Sequence, residues 1–289
     1  MPTPGEDAIG VGHFLPQAQR FALKLGLTDG KEEHCKTLTR PCRIYRMTTS
    51  RLSFTQSFLR ARFSADGYLG LHLTVGAAAL LVAALVFANL AEDVVTSDSM
   101  VAIDLRISSW FYAHTSPVLT KFFLIITWLH STLGVIALGL LFAAFLAKAR
   151  AWSWALLLLV SVPPGMLLNV LLKHIFQRAR PSFEQPLLSL ATYSFPSGHT
   201  AGAALLYGVA CGYVLSFTHG WWRVLVIFAA LLMVALVGLS RIYLGVHYLS
   251  DVLAAVASST VWLAFTFMAF TTWRKRKSWL IALPMNSPP

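Results

Sequence analysis

The stretch Ser240–Asp251 reads SRIYLGVHYLSD and places an Arg, a His and an Asp in a strongly apolar part of the chain. His247 and Asp251 are four residues apart, so on a helix they lie on one face, one turn apart. An aspartate there can accept the Nδ1–H of the histidine, which fixes the tautomer and leaves Nε2 unprotonated. Arg241, near the end of the preceding apolar run, offers a charged fork of donors for a phosphate. Taken alone, the stretch favours a simpler interpretation, a buried histidine bonded to a buried aspartate.

Two other stretches have the same character. Lys173–Pro181 reads KHIFQRARP, and Phe195–Thr200 reads FPSGHT. In this order the three stretches follow the pattern K-x6-RP, PSGH and SR-x5-H-x3-D, and so the chain resembles the type-2 phosphatidic acid phosphatase superfamily. That superfamily covers membrane lipid phosphate phosphatases, glucose-6-phosphatase and the vanadium-dependent haloperoxidases. Every position of the pattern is matched, by Lys173, Arg180, Pro181, Pro196, Ser197, Gly198, His199, Ser240, Arg241, His247 and Asp251.

The composition is typical of a membrane protein. Of the 289 residues, 56% are hydrophobic and 12% are charged, whereas soluble domains carry roughly 25% charged residues. Six apolar runs each approach the roughly 20 residues that a helix needs to cross the hydrocarbon core. We therefore predict an all-α, polytopic membrane helical bundle with six transmembrane helices. The runs are Leu69–Leu90, Phe122–Ala147, Trp152–Leu172, Thr200–Phe217, Trp222–Leu239 and Leu249–Phe270.

The distribution of positive charge predicts the domains and the orientation. Residues 1–66 hold ten of the 23 Lys and Arg residues and no run apolar enough to span a bilayer. We expect them to form a basic, disordered cytoplasmic tail without a secretory signal peptide, although Met47 would itself serve as a start. The six-helix phosphatase domain is placed at residues 67–272, and a basic cytoplasmic tail at residues 273–289.

With the N-terminus inside, 17 Lys and Arg residues lie on the cytoplasmic side and six outside, in agreement with the positive-inside rule. The net charge of +11 is thereby explained by membrane topology, without nucleic acid as a partner. The same orientation places all three motifs at the non-cytoplasmic surface.

For the polar residues outside both the motifs and the apolar runs, we predict no role in the chemistry. We expect the segment Ala91–Ser116 to be a solvated outer loop whose carboxylates fit no metal-ligand spacing. Within it, Trp110–Tyr112 suit an interfacial helix. Arg178, which is not part of the pattern, is expected to contact lipid headgroups. The carboxylates of the loop are Glu92, Asp93, Asp98 and Asp104.

For His130 and Asn169, which lie inside apolar runs, the sequence allows two interpretations each. His130 is either functional or a neutral histidine bonded within the bundle. Asn169, one turn before Lys173, either orients that lysine or makes an interhelical hydrogen bond. The three cysteines, Cys35, Cys42 and Cys211, form neither a disulfide framework nor a zinc site.

Five motif residues are suited to phosphate binding. A phosphate monoester brings nearly two negative charges, which Lys173, Arg180 and Arg241 can neutralise. The helix that opens at Ser197 and Gly198 adds free backbone N–H groups and the positive end of its dipole. Gly198 lets the backbone approach the ligand, and Ser197 either donates to a phosphate oxygen or only caps the helix. We expect neither a metal nor another cofactor at this site.

The resemblance implies catalytic roles for three further motif residues. His247 would attack phosphorus and form a phosphohistidine, and Asp251 would orient His247. His199 would protonate the leaving oxygen and then act as base toward water. The expected function is the metal-independent hydrolysis of a lipid phosphate or diphosphate at the outer surface of a bilayer.

The sequence specifies the cellular membrane and the substrate less precisely than it specifies the site. The outer loops carry no N-x-S/T site, which fits a bacterial inner membrane with the site facing the periplasm or exterior. The candidate substrates are undecaprenyl diphosphate, phosphatidate, phosphatidylglycerophosphate and sphingoid phosphates. The sequence does not choose among these lipids, and it does not indicate an oligomeric state.

Two alternative functions remain open. A vanadium-dependent haloperoxidase would use the same residues to hold vanadate, but six spans with little chain outside the membrane argue against it. A non-enzymatic lipid transporter or lipid-binding protein of similar architecture would be expected to have lost some motif residues, whereas here the set is intact.

Overall fold

The computed structural model describes residues 70–96, 99–184, 187–188 and 190–282, with side chains as far as residue 277. These residues form eight α-helices and no β-strand, which confirms the predicted all-α class. The basic tail predicted for residues 1–66 lies outside the described residues. The helices are α1 (Leu71–Thr96), α2 (Ser99–Ala113), α3 (Pro117–Leu129), α4 (Thr132–Lys148), α5 (Trp152–Phe176), α6 (Gly198–Leu215), α7 (Trp222–Tyr243) and α8 (Leu249–Ala282).

Four helices, α1, α5, α7 and α8, are each long and apolar enough to cross a membrane. The pair α3 and α4 meets this criterion only together, with a bend of 57° between the two helices. The described residues therefore hold four candidate spans, or five with the bent pair, and the predicted count of six is not confirmed. α6 does not qualify, because its first turn is polar and glycines interrupt its apolar residues.

The second apolar run is broken by its own capping residues. α3 ends before His130, whose backbone N–H bonds back to Ile126 O at 3.2 Å. Ser131 then caps α4, because its side chain accepts from the Gly134 N–H at 3.2 Å. A serine that satisfies a free N–H group starts a new helix, so an apolar run of this length need not be one straight span.

The last helix is longer than predicted. The predicted apolar run ends at Phe270, whereas α8 continues to Ala282, so the segment predicted as a basic tail begins as part of this helix. Arg274–Lys277 are good helix formers. Residues 249–283 contain no proline or glycine. The helix therefore has no residue to end it at Phe270, where the apolar run stops.

α6 lies at the centre of the bundle and contacts α4, α5, α7 and α8. Small residues let helices approach closely in lipid. A Cβ atom at Gly208 would lie 2.5 Å from Leu263 Cδ1 of α8. On the facing helix α5, a Cβ at Gly165 would lie 2.7 Å from Leu205 Cδ1 and 2.9 Å from Trp262 Cδ1. The close contacts among α5, α6 and α8 therefore depend on glycine.

This packing brings four helix ends together. α5 ends at Phe176 and α7 at Tyr243, while α6 begins at Gly198 and α8 at Leu249. A backbone hydrogen bond of 3.0 Å from the Ser197 N–H to Asp251 O joins the beginnings of α6 and α8. Polar side chains from all four ends consequently meet at one end of the bundle.

We expect the variant Gly165→Val to be less stable than Gly139→Val. Both replace a helical glycine by the same β-branched residue, but a Cβ at Gly139 meets nothing within 4 Å. Overpacking at Gly165 should cost about 1–3 kcal/mol, measured from thermal unfolding of the two variants in detergent. Equal unfolding midpoints would show that the α5–α6–α8 contact is not tight.

Candidate active site

The motif side chains lie together at the end of the bundle where the four helix ends meet. Lys173 and Arg241 come from the last turns of α5 and α7, and Arg180 from the segment that follows α5. The first turn of α6 carries Gly198 and His199, with Ser197 as its N-cap. His247 precedes α8, and Asp251 lies in its first turn.

His247 and Asp251 form a buried pair. The Nδ1 atom of His247 lies 3.2 Å from Asp251 Oδ2, and the two residues are 1% and 0% exposed. On the other side of the ring, Arg180 Nη1 donates to Nε2 at 3.1 Å. Because the guanidinium can only donate, Nε2 is the unprotonated nitrogen and Nδ1 carries the proton. The tautomer assigned from these partners is the one that the sequence spacing predicted.

The neutral form of His247 is strongly favoured. Burial lowers the pKa of His247 to about 3, and the hydrogen bond and charge of Asp251 offset this only in part. The nearby guanidinium groups of Arg241 and Arg180 also disfavour a second positive charge. At neutral pH the ring therefore presents a lone pair on Nε2.

Asp251 also fixes the beginning of α8. Leu249 is the first helical residue, so Asp251 is the third, and its Oδ2 accepts the Tyr248 N–H at 2.9 Å. A carboxylate that reaches back to the N-cap N–H is one half of a capping box. Oδ2 also accepts from the Ser194 hydroxyl. The same carboxylate thus holds the histidine, the helix start and the loop before α6.

Arg241 has donors available for a ligand. Its side chain is fully buried, and Nη1 donates to Thr127 Oγ1 at 3.1 Å. The Nε and Nη2 atoms have no hydrogen-bond partner in the part of the chain that the structure describes. Unpaired buried donors are costly, so these N–H groups are suited to an anionic oxygen.

Lys173 and Arg180 donate to backbone carbonyls of the segments that precede α6 and α8. Lys173 Nζ donates to Tyr193 O at 2.8 Å and Ser194 O at 3.2 Å. Arg180 donates to Thr192 O and to Val246 O, each at 2.6 Å. Carbonyl groups position these cations without cancelling their charge, so the site retains a strong positive field.

The start of α6 completes the site. Ser197 makes no side-chain capping bond among the described residues, and its hydroxyl oxygen instead accepts from Thr200 Oγ1 at 3.0 Å. A Cβ at Gly198 would lie 3.4 Å from Asn169 Oδ1, so α6 begins close against α5. His199 is half-buried, and Arg241, His247 and Arg180 are all near enough to act on its charge.

The prediction of a solvated loop at Ala91–Ser116 is wrong. α1 continues to Thr96 and α2 spans Ser99–Ala113. Asp104 on α2 is fully buried, although Glu92 on α1 is exposed. Asp98 lies outside the described residues. The sequence does contain a sign that Asp104 faces the bundle, because it stands one helical turn before Ser108 among apolar residues. In the structure both side chains are buried.

Arg178 does not point to lipid headgroups as expected. Its Nη1 donates to Asp251 Oδ1 at 2.6 Å and its Nη2 to Asp104 Oδ2 at 2.9 Å. Both carboxylates are fully buried. The sequence does not predict this pairing, because Asp104, Arg178 and Asp251 lie in three separate segments.

The structure shows the surroundings of His130 and Asn169, for which the sequence left two interpretations each. His130 Nδ1 lies 2.9 Å from Ile126 O and Nε2 lies 2.8 Å from the Tyr207 hydroxyl, so the ring is bonded within the bundle. Asn169 is buried, and its Nδ2 has no partner among the described residues. The described residues contain no group of three or more His, Cys, Asp or Glu side chains that could hold a metal ion.

The chain matches known proteins over the region that forms this site. The family model described as PAP2 superfamily matches residues 154–277, which include all three motifs. Phosphatidylglycerophosphatase B of Bacillus subtilis (strain 168) is 41% identical over 107 residues, 36% of this chain and 51% of that protein. The chain therefore spans about half the length of this curated relative.

Two solved structures are similar in fold. The crystal structure of a transmembrane PAP2 type phosphatidylglycerolphosphate phosphatase from Bacillus subtilis aligns with a TM-score of 0.59 and 28% identity, over 72% of this chain and 98% of that one. The crystal structure of LpxE from Aquifex aeolicus aligns over 57% of this chain and 94% of its own, with a TM-score of 0.47 and 24% identity. Residues 154–277 of this chain are therefore a PAP2 superfamily domain, and the apolar helices make the chain an integral membrane protein.

Proposed function

We propose that this protein is a phosphatase that hydrolyses a lipid phosphate monoester or diphosphate through a phosphohistidine at His247. The observation that carries the proposal is the buried pair of His247 and Asp251. Arg180 lies at hydrogen-bond distance from Nε2 of His247 and can only donate, which assigns the proton of the ring to Nδ1. The two Bacillus subtilis proteins named above are described as phosphatidylglycerophosphate phosphatases, so phosphatidylglycerophosphate is the first substrate to test. The bilayer is the second partner that the function requires.

Substrate binding begins with the positive charges. The phosphate oxygens accept from the unpaired donors of Arg241, from Lys173 and Arg180, and from the Ser197 hydroxyl and the N–H groups that open α6 at Gly198. A phosphate dianion is a stronger acceptor than an imidazole nitrogen. Arg180 therefore moves its hydrogen bond from Nε2 to the phosphate, which frees the lone pair.

The chemical step is an in-line displacement at phosphorus. His247 Nε2 forms the N–P bond while the bond from phosphorus to the leaving oxygen breaks. The ring becomes cationic, and the Asp251 carboxylate, at 3.2 Å from Nδ1, stabilises that charge. His199 gives its proton to the leaving oxygen. Water then attacks the phosphohistidine, His199 takes its proton, and inorganic phosphate is released.

The proposed reaction needs no metal ion. Magnesium ions or arginine side chains usually stabilise the charge that develops on a transferring phosphoryl group. Three cations, Lys173, Arg180 and Arg241, surround this site, and carbonyl or hydroxyl groups rather than carboxylates hold them. Their charge is therefore available to the phosphate.

We place the site on the outer face of a bacterial inner membrane. The excess of Lys and Arg in residues 1–66 and 273–289 supports a cytoplasmic location of both segments. This location requires an even number of crossings, with the bent pair α3 and α4 as one span and α6 as the sixth. The motif residues come from the opposite end of α8, at Asp251. A site at a helix end lies near the headgroups, where a lipid phosphate can enter while its tail stays in hydrocarbon.

The purified protein should release inorganic phosphate from a panel of lipid phosphates in detergent, and it should do so in the presence of EDTA. His247→Ala lacks the nucleophile and serves as the matched negative control. Phosphate release would be measured for phosphatidylglycerophosphate, phosphatidate and undecaprenyl diphosphate. A wild-type protein that is inactive on the whole panel would contradict the function, and activity restored only by a divalent ion would contradict the metal-free step.

The importance of His199 should depend on the leaving group. An alkoxide is strongly basic and needs a proton in the transition state, whereas a nitrophenolate needs little help. His199→Ala should therefore lose about 10²–10⁴-fold in kcat on an alkyl phosphate and clearly less on nitrophenyl phosphate. His247→Ala should fail equally on both. An equal loss on both substrates for His199→Ala would assign the acid role to another group.

A reporter fused after Pro289 should be active only in the cytoplasm, because the positive-inside rule places the C-terminus there. Alkaline phosphatase and green fluorescent protein fusions in a bacterial host would read out the two compartments. Alkaline phosphatase activity with no fluorescence would reverse the proposed orientation.

A further inference from the structure

Arg178 joins two buried carboxylates behind the His247–Asp251 pair. Its Nη1 donates to Asp251 Oδ1 at 2.6 Å and to Ser250 Oγ at 2.7 Å, and its Nη2 donates to Asp104 Oδ2 at 2.9 Å. The guanidinium carbon lies 4.3 Å from the centre of the Tyr248 ring. With its side chain only 10% exposed, Arg178 is fixed from several sides.

Asp104 connects this arginine to the beginning of α8. Its Oδ1 accepts the Ser250 N–H at 3.0 Å, and its Oδ2 accepts from the Ser250 hydroxyl as well as from Arg178. A carboxylate is favoured at the N-terminus of a helix. Here that carboxylate comes from α2, which lies outside the segment matched by the family model.

The two oxygens of Asp251 consequently have separate partners. Oδ1 faces Arg178, while Oδ2 faces His247 Nδ1, the Tyr248 N–H and the Ser194 hydroxyl. Because Arg178 holds Oδ1, the carboxylate cannot turn away from the histidine. The orientation of the imidazole therefore depends on a residue that does not touch it.

The charges of the cluster also matter. Asp104, Arg178 and Asp251 carry charges of −1, +1 and −1, which leave the cluster with one net negative charge. Burial by itself would lower the pKa of Arg178, but the two carboxylates raise it above its usual value, so the arginine stays charged. If Asp104 were neutral, Arg178 would cancel the charge with which Asp251 stabilises a cationic His247.

We infer that Asp104 and Arg178 are positioning residues for phosphoryl transfer, which hold Asp251 by Oδ1 and keep its negative charge directed at His247. This inference rests on the proposed function. A merely structural role would be to attach α2 to α8, and it would affect folding without changing the chemistry at His247.

The test compares five variants in detergent. They are Asp104→Asn, Arg178→Lys, Arg178→Met, the double variant Arg178→Met/Asp104→Asn, and the control Ser108→Ala. Ser108 lies one turn after Asp104 on the same helix and is buried without a hydrogen-bond partner among the described residues. For each variant, kcat and KM on nitrophenyl phosphate, the dissociation constant of vanadate and the unfolding midpoint would be measured.

We expect Asp104→Asn and Arg178→Met to lower kcat about 10–100-fold, the loss typical of residues that orient a functional ligand in metal sites. KM should change by less than about twofold, because the phosphate-binding cations are untouched. Arg178→Lys should recover part of the loss, since it keeps the charge but cannot bridge both carboxylates. The double variant should exceed Arg178→Met in kcat, because it removes the uncompensated buried charge of Asp104 that Arg178→Met leaves beside Asp251. Ser108→Ala should match the wild type.

Vanadate binding separates this inference from the proposed function. Vanadate occupies a phosphate site and bonds to Nε2, so its affinity reports the position of His247 without turnover. A wild type that binds vanadate but releases no phosphate would contradict the function, while weaker vanadate binding by Asp104→Asn would still support the positioning role.

Three results would overturn the inference. Asp104→Asn could retain wild-type kcat and vanadate affinity. Its kcat could fall only in proportion to the folded fraction while the dissociation constant of vanadate stays unchanged. The double variant could have a kcat no higher than that of Arg178→Met. A wild type that neither turns over nor binds vanadate would overturn the inference and the function together.

Discussion

The buried carboxylate of Asp251 is the interaction on which the other features of the site depend. An ionised carboxylate that leaves water loses several kcal/mol of solvation even after relaxation. This loss must be offset by hydrogen-bond donors to both oxygens, and both oxygens have them. Arg178 donates to Oδ1, while His247, the Tyr248 N–H and the Ser194 hydroxyl donate to Oδ2. To satisfy one charge, the fold must fix the start of α8, the loop before α6 and the segment after α5. The geometry of the site follows from that requirement.

Local spacing predicted the parts of this arrangement that depend on helix geometry. The four-residue separation of His247 and Asp251 specifies one helix face, and the structure has that contact. The long apolar runs specified helices, because a chain in lipid must satisfy its backbone polar groups within each segment. Where a short polar signal competed with hydropathy, the polar signal prevailed: Ser131 starts α4 inside an apolar run.

The missed contacts are those between distant segments. Asp104 and Arg178 are 74 residues apart in sequence, and no periodicity relates them. Arg178 resembles its neighbour Arg180 in composition and setting, yet one bonds two carboxylates and the other bonds carbonyl groups. The difference arises from the tertiary position of α2, which a sequence read segment by segment does not contain.

Helix ends are the places where a membrane bundle can keep such a site. In the hydrocarbon region each unpaired polar group is costly, so charged residues there need partners within the bundle. At a helix end, free N–H groups and the helix dipole already favour an anion. In this chain two helix beginnings supply those groups and two helix ends supply cations, Lys173 and Arg241. The site therefore carries excess positive charge and unpaired donors, a state that is unfavourable alone and that an anionic ligand would make favourable.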